Sequence, residues 1–438
     1  MNKPLHFQYV WAAGGLFLLA LLFLPATALR LGSGTVTGLV LCLFFLFSLL
    51  LLRHEGIHGA SLLPAFFPLA LAFFLRVFLL DYQSQDYQIF LSQWAAFFRE
   101  HGGFSALNLP VGNYNVPYLY FLAALSYLPL PDLYGIKLFS IFFDILLAWG
   151  GLRLVRHFKP KGNASLFAFC AILLLPTVVL NGACWGQCDS IYAALLLHAL
   201  ASALDRRPAA SVLLVAAAFS FKLQAIFLVP LWCAFWFTGR VKFRHLLLFP
   251  AGCAAIAAPA LLAGKPLMDI LGVYLGQMGV NSSLTFNAPS VYQYIPYGLK
   301  VNAGLAAKLG ILAAFSLVLA LLGFLFLRRA QAGDKALFLS ALLLLAGVPF
   351  LLPYMHERYF FPADVLALIW AVVFPRRFPQ ALAIQVSSVM GYLTYFTAHF
   401  LLPIPVAGLY FPMGIETTLV LFLLLSTLRT LPKTLEAR

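Results

Sequence analysis

Long apolar runs separated by short, often basic, polar stretches set the pattern of this chain. Runs such as Val10 to Leu29 and Gly38 to Leu52 approach or reach the length of about 20 residues needed to cross a hydrocarbon core of about 30 Å. Lipid offers the backbone no hydrogen-bond partners, so such runs must be helical. The pattern predicts an all-α polytopic membrane protein of about 14 spans. These fall near residues 9–29, 34–52, 61–80, 133–152, 164–181, 188–204, 209–221, 224–238, 245–263, 303–327, 336–352, 359–374, 379–400 and 414–430.

The basic loops give that pattern an orientation. Arg153, Arg156, Lys159 and Lys161 form one cluster and Arg206 and Arg207 another. Arg240, Lys242 and Arg244 follow, then Arg328, Arg329 and Lys335, then Arg376 and Arg377. With the spans above, all these loops share one side with both termini, which the positive-inside tendency assigns to the cytoplasm. The segment Val116 to Leu128 breaks the alternation if it crosses. It is only about 13 residues long and ends at Pro129 and Pro131, so it reads as a re-entrant or interfacial helix. It then belongs to a long outer loop, 81–132; a second outer loop covers 264–302. Ala26-Thr27-Ala28 mimics a signal-peptide cleavage site, but the run before it is long for one and more spans follow, which favours an uncleaved first span.

Composition agrees: 63% of residues are hydrophobic and 10% charged, against about 25% charged in ordinary soluble domains. The formal charge of +14 sits in the short loops, a distribution that argues against nucleic acid as a partner. No Gly/Ser linker, soluble-sized insert or internal repeat interrupts the chain, and the lack of a repeat argues against an inverted-repeat transporter. Cys42, Cys170, Cys233 and Cys253 read as small apolar span residues. Cys184 and Cys188 lie close together at the outer face, either as two thiols or as an oxidised pair.

The candidate chemistry lies on the outer side. Eight of the 14 acidic residues fall in or beside the outer loops: Asp81, Asp86, Glu100, Asp132, Asp189, Asp269, Glu357 and Glu416. After Asp86, the spacing of Tyr87, Ile89, Phe90, Trp94, Phe97 and Phe98 predicts an amphipathic helix on the membrane surface. Asp86 is then either the N-cap of that helix or a carboxylate with a chemical task. Asp189, in Trp185-Gly186-Gln187-Cys188-Asp189-Ser190, poses the same choice. Phe221-Lys222-Leu223-Gln224 places a lysine and a glutamine between apolar half-runs with no turn-forming residue, which suggests a polar cavity. Met355-His356-Glu357-Arg358-Tyr359 is either a solvated loop or an anion site, since Arg offers phosphate a bidentate fork. Asp144 and Asp364 lie within spans, where a charge should face the interior or be paired; Lys137, on the face of Asp144, is one candidate partner. Together these residues suggest an outer-face carboxylate base and a cationic phosphate site.

In order along the chain, Asp86-Tyr87 leading to Trp94, Gly102-Gly103, Asn113 to Tyr120, the Trp185–Ser190 and Phe221–Gln224 motifs, and Met355 to Pro362 resemble the GT-C glycosyltransferases. Over roughly Asp81 to Pro362 the chain is similar to bacterial relatives of the mannosyltransferase that adds the second mannose of GPI anchors. It also looks like the dolichyl-phosphate-glucose-dependent glucosyltransferases. The resemblance implies inverting transfer of a hexose, mannose or glucose, from a polyprenyl-phosphate donor to a glycan or glycolipid acceptor at the outer face of the inner (plasma) membrane. It implies Asp86 as general base, with Asp81 as the fallback, and Arg358, His356 and Lys222 facing the donor phosphate.

By the same resemblance Val116–Leu128 matches the family's second juxtamembrane helix, and the reaction needs no metal and no cofactor. Where the family has a double proline this chain has Asn115-Val116-Pro117, a difference that bears on the acceptor. Tyr87, Tyr114, Asn115, Tyr118, Trp185, Gln187, Asp189, Gln224 and Glu357 are the remaining candidates for substrate contact. Aromatics at a membrane interface also occur without such a role. A transporter or flippase of a polyprenyl-linked lipid would use the same cationic cavity but need no base; a polysaccharide ligase or polymerase would take a diphosphate-linked donor.

Overall fold

The computed structural model describes residues 3–21, 34–276 and 283–435 and is almost entirely helical, with two short two-stranded pairs. The Ala26-Thr27-Ala28 triplet lies outside the described residues. Among these residues, seven helices are long and apolar enough to cross a membrane: Thr37–His54, Gly59–Val77, Asp132–Phe158, Phe243–Leu262, Ala303–Leu327, Asp334–Leu351 and Gly414–Thr434. Ala164–Leu174 with Pro176–Trp185, bent by 48°, adds an eighth if the pair is one span. The break has a local cause: Leu175 precedes a proline and is extended (φ −61°, ψ 124°), as the proline ring demands.

Of the other expected spans, 9–29 lies partly outside the described residues, Phe378–Thr397 has the length at 20 residues but is less apolar, and the rest are shorter. Asp189–Leu204 and Pro208–Phe221 have 16 and 14 residues. Over 224–238, the extended Lys222 and a tight turn at Leu223–Phe227 leave only Leu231–Phe237 as α-helix. Phe361–Val373 has 13 residues because the chain enters it through a 3-10 turn at Glu357–Phe360. Apolar composition alone counted these interrupted runs as continuous.

The chain divides into two compact units, Met1–Ala194 with Pro259–Asp269, and Leu195–Ala258 with Ile270–Arg438. In the first unit we label α1 (Lys3–Leu21), α2 (Gly34–His54), α3 (Leu63–Val77), α4 (Ser92–Glu100), α5 (Val116–Leu125), α6 (Asp132–Phe158) and α7 (Ala164–Leu174). α1 packs on α3 with Trp11 edge-on to Phe67 at 4.7 Å. Gly15 makes the approach possible: a Cβ there would meet the Phe66 carbonyl at 2.8 Å. α5 has ten residues, or about 15 Å of helix, too short to cross.

α6 organises this unit. Lys137, Ser140 and Asp144 fall on one face of it, at helical spacing, and all three are fully buried. Lys137 Nζ donates to the carbonyls of Leu79, Leu80 and Tyr82 at 2.8, 2.9 and 2.6 Å, fixing the segment that leaves α3. Ser140 Oγ donates to the Gln187 carbonyl at 2.7 Å. Asp144 pairs not with Lys137 but with Arg76 of α3, at 2.8 Å, and accepts from Ser190. The expected Lys137–Asp144 pair is thereby corrected: Lys137 is spent on three carbonyls, and a guanidinium reaches the carboxylate with both Nε and Nη2.

The second unit holds α8 (Pro208–Phe221), α9 (Ala303–Leu327), α10 (Asp334–Leu351), α11 (Phe361–Val373), α12 (Phe378–Thr397) and α13 (Gly414–Thr430). α10 is buried along nearly its whole length, and its Phe338 stacks on Trp370 of α11 at 5.4 Å. Asp364 of α11 is buried and accepts from Ser388 of α12 at 2.8 Å, which meets the expectation that this carboxylate in an apolar run is paired. A two-residue strand β1 (Thr285–Phe286) runs parallel to β2 (Met355–His356), pairing Phe286 with His356. A small hairpin, β3 (Ile404–Val406) with β4 (Leu409–Phe411), precedes α13.

Candidate functional site

In the first unit the segment after α3 turns into a helix that starts at Gln85 and continues, through one wide turn at Tyr87–Leu91, into α4. The cap of this helix is Ser84: its hydroxyl accepts from the Tyr87 amide at 3.2 Å and donates to the Trp185 carbonyl at 2.8 Å. Asp86 already has helical torsions (φ −60°, ψ −37°), so the N-cap reading of Asp86 is corrected. Its carboxylate is directed at the Trp185–Ser190 motif instead. Oδ2 accepts from the Trp185 indole N–H at 2.9 Å and from the Gln187 side-chain amide at 2.5 Å. Gly186, left-handed at φ +76°, reverses the chain between those two donors, a conformation that L side chains rarely adopt.

Gln187 works in both directions. Its Oε1 accepts from the Tyr114 hydroxyl at 3.2 Å, so Tyr114, Gln187 and Asp86 form one chain of hydrogen bonds. Tyr114 packs against Trp94 at 5.2 Å and against Tyr118 at 4.7 Å. Gly112, at φ +60°, lets the backbone pass the Trp94 ring, where a Cβ would come within 2.7 Å. Asn115 is 3% exposed, and neither its amide nitrogen nor its oxygen finds a hydrogen-bond partner among the described residues. Asp86 itself is half-buried, and the aromatic and amide groups around it make a cradle suited to a hydroxylated ring.

The other candidates of this unit sit elsewhere. Asp81 is exposed and accepts from Tyr134 at 2.6 Å. Asp189 is fully buried and accepts from Asn181 at 2.9 Å, an internal contact. Tyr87 turns to the start of α6, where burial and the nearby Asp132 push its hydroxyl up in pKa while a bond with the Leu133 backbone opposes them. Cys184 and Cys188 are free thiols, both buried.

In the second unit Lys222 ends α8 in an extended conformation and is 9% exposed; Gln224, two residues on, is 7% exposed. Pairing of β1 with β2 lays the His356 ring flat on Phe286, 4.8 Å away at 14°. Burial, with Arg358 and Lys222 both close enough to repel a proton, lowers the His356 pKa to about 3. The imidazole is therefore neutral at physiological pH, and the positive charge of this cluster belongs to Lys222 and Arg358. Arg358 lies over the Tyr359 ring at 5.8 Å and 3.6 Å from Glu357. Glu357 is 1% exposed, and its Cβ is within 3.1 Å of where a Cβ on Gly391 would stand, so α12 needs a glycine there.

Three important residues escaped the sequence reading. Arg76 was detectable, as a lone charge in an apolar run with a counterpart at Asp144. Ser84 and Phe286 carried no signal, because a cap and a strand pair depend on where the chain turns. Among the described residues no three His, Cys, Asp or Glu side chains gather as a metal site would require. No protein-family model matches the chain, and no curated protein matches it.

Proposed function

We propose that this protein is a membrane glycosyltransferase of the GT-C type that moves a hexose from a polyprenyl-phosphate donor to a glycan or glycolipid acceptor. The observation that supports it most is the setting of Asp86. Relieved of capping by Ser84, the carboxylate is held by Trp185 and Gln187 in a half-buried aromatic cradle. A positioned carboxylate of this kind serves as a general base: it takes the proton of an acceptor hydroxyl as that oxygen attacks the anomeric carbon. The carbon–oxygen bond to the lipid phosphate then breaks, and the phosphate leaves with the bonding pair.

The second unit carries the matching cationic chemistry. Lys222 and Arg358 suit a phosphate, and Arg358 offers it two parallel donors. His356, neutral, contributes an N–H rather than a charge. Electrostatic stabilisation of the charge that develops on a leaving group is a large term in such reactions.

The same reading includes about 14 crossings, counting the shorter apolar helices, with the termini and basic loops cytoplasmic and Asp86 outside. Impermeant labelling of cysteines introduced at Ser105 and Leu130 should give one sidedness; opposite sidedness would overturn that topology. For the reaction, sugar transfer from polyprenyl-phosphate mannose or glucose by reconstituted Asp86→Asn protein is the deciding measurement.

A further inference from the structure

The far end of the first unit holds a polar cavity that the reaction does not use. It encloses about 270 Å³, well above the roughly 10–15 Å³ that holds one water. Glu55, Gly56, Ile57 and Ser61, after α2, form one wall; Arg156, Pro160, Gly162, Asn163, Ser165 and Leu166, between α6 and α7, form the other. Lys137 and Arg156 are about 28 Å apart along α6, at 1.5 Å per residue, so this cavity is remote from Asp86.

Two turns build it. Gly56 at φ +79° closes α2, and Gly162 at φ +83° connects α6 to α7; a Cβ on either would meet nothing within 4 Å. Glu55 ties the walls together, accepting from the Trp149 indole at 2.7 Å and from Arg156. That pairing neutralises the one acid of the lining. The adjoining segments are basic in sequence: Arg53, Arg153, Lys159 and Lys161 flank the pair along the chain, and 53–61 and 153–166 hold no second acid. Leu166 and Ile57 give the lining an apolar edge. Phe167, next in the chain, is 61% exposed, as are Leu43 and Leu50 of α2 at 60% and 62%. Such apolar exposure belongs against acyl chains.

We propose that this cavity binds the phosphate of an anionic phospholipid headgroup, with the acyl chains lying along the exposed apolar face beside it. A basic pocket between membrane helices is the setting in which anionic headgroups are recognised. The shared chemistry is the phosphate, and the apolar edge favours the lipid over the free ion.

The test uses the full-length protein in detergent, with thermal stability followed during titration of phosphatidylglycerol, phosphatidylcholine or inorganic phosphate. Stabilisation should saturate with phosphatidylglycerol and be absent with phosphatidylcholine. Asn163→Asp adds a carboxylate to the wall at the start of α7 at nearly unchanged size, and Asn163 makes no side-chain cap bond to lose. It should leave the lipid-free transition unchanged and weaken the lipid effect about fivefold or more. Lys159→Gln with Lys161→Gln, either side of the lining Pro160 in the chain, should weaken it by about fivefold per lysine. Equal effects of the two lipids, or indifference of both variants, would overturn the site. Equal saturation by inorganic phosphate alone would overturn the lipid as its source.

Discussion

Arg76 and Asp144 pair entirely within the first unit: Nη2 lies 2.8 Å from Oδ2, and both side chains are fully buried. Arg76 also donates to the Ala72 and Leu173 carbonyls at 2.9 Å, so one guanidinium joins α3, α6 and the end of α7. Removing one partner leaves a buried charge uncompensated, which costs about 3–5 kcal/mol. Arg76→Leu and Asp144→Leu should each lower the thermal transition sharply. The double variant should recover much of the loss, because an apolar replacement of a whole buried pair is often tolerated. Equal damage from the double and single variants would show that the charges do not act as a pair.

Lys137 makes a different prediction, because its partners are backbone. Its three donors bond the carbonyls of Leu79, Leu80 and Tyr82, two to seven residues ahead of the cap and carboxylate at Ser84 and Asp86. Lys137→Met should cost stability by about 1.5–3 kcal/mol, the range for hydrogen bonds to charged groups. It should also lower turnover while leaving donor affinity unchanged, since the segment it holds leads to Asp86. Unchanged turnover with lost stability would make Lys137 a purely structural clamp.

Much of this was legible in the sequence, and its failures have physical causes. Apolar runs long enough to span read correctly where nothing interrupts them, as at 303–327. They misread where a proline or an extended residue breaks the backbone inside the run, as at Leu175 and Lys222. The short 116–128 segment was legible from its length and its bounding prolines. Asp86 stood out by type and position, but the residue that caps its helix did not, because Ser84 is one of many serines. The partner of Asp144 was misassigned because spacing along one helix shows only local neighbours, whereas Arg76 arrives from another.

His356 gives the protein a pH dependence with a definite sign. Its pKa lies near 3 in the folded chain, lowered by burial and by Arg358 and Lys222, against 6.5 for the ordinary group. Between those values the unfolded chain binds a proton that the folded chain refuses. The stability associated with a neutral His356 is therefore complete above about pH 6.5 and falls as pH drops toward 3. His356→Gln should flatten the stability profile in that window and leave it unchanged above pH 7. A profile as steep as that of the unaltered protein would place the titration on other groups. An anion bound by Lys222 and Arg358 would offset their repulsion, so a phosphate-bearing ligand should move the His356 transition upward.

The last prediction separates the two tasks that the sequence left joined at Asp86. Ser84→Ala removes the cap, at a cost of about 1 kcal/mol, and with it the bond to the Trp185 carbonyl. Asp86→Asn leaves the cap in place and keeps the side chain's shape. Its carbonyl oxygen can still accept from Trp185 and Gln187, so stability should hold within about 1 kcal/mol. A base role does not survive the change, because an amide takes no proton near neutral pH. General-base catalysis contributes about 10²–10⁴-fold, so transfer from a polyprenyl-phosphate hexose should fall by at least that lower figure in Asp86→Asn. Asp81→Asn, whose amide oxygen can still accept from Tyr134, should retain most activity. The three variants are measured side by side in reconstituted membranes, with donor binding and thermal stability followed in each. Near-normal transfer by Asp86→Asn would remove Asp86 as the base, whereas no transfer by the unaltered protein would return the chain to a transporter of polyprenyl-linked lipid. Loss of transfer in Asp81→Asn alone would keep the chemistry but move the base five residues toward α3.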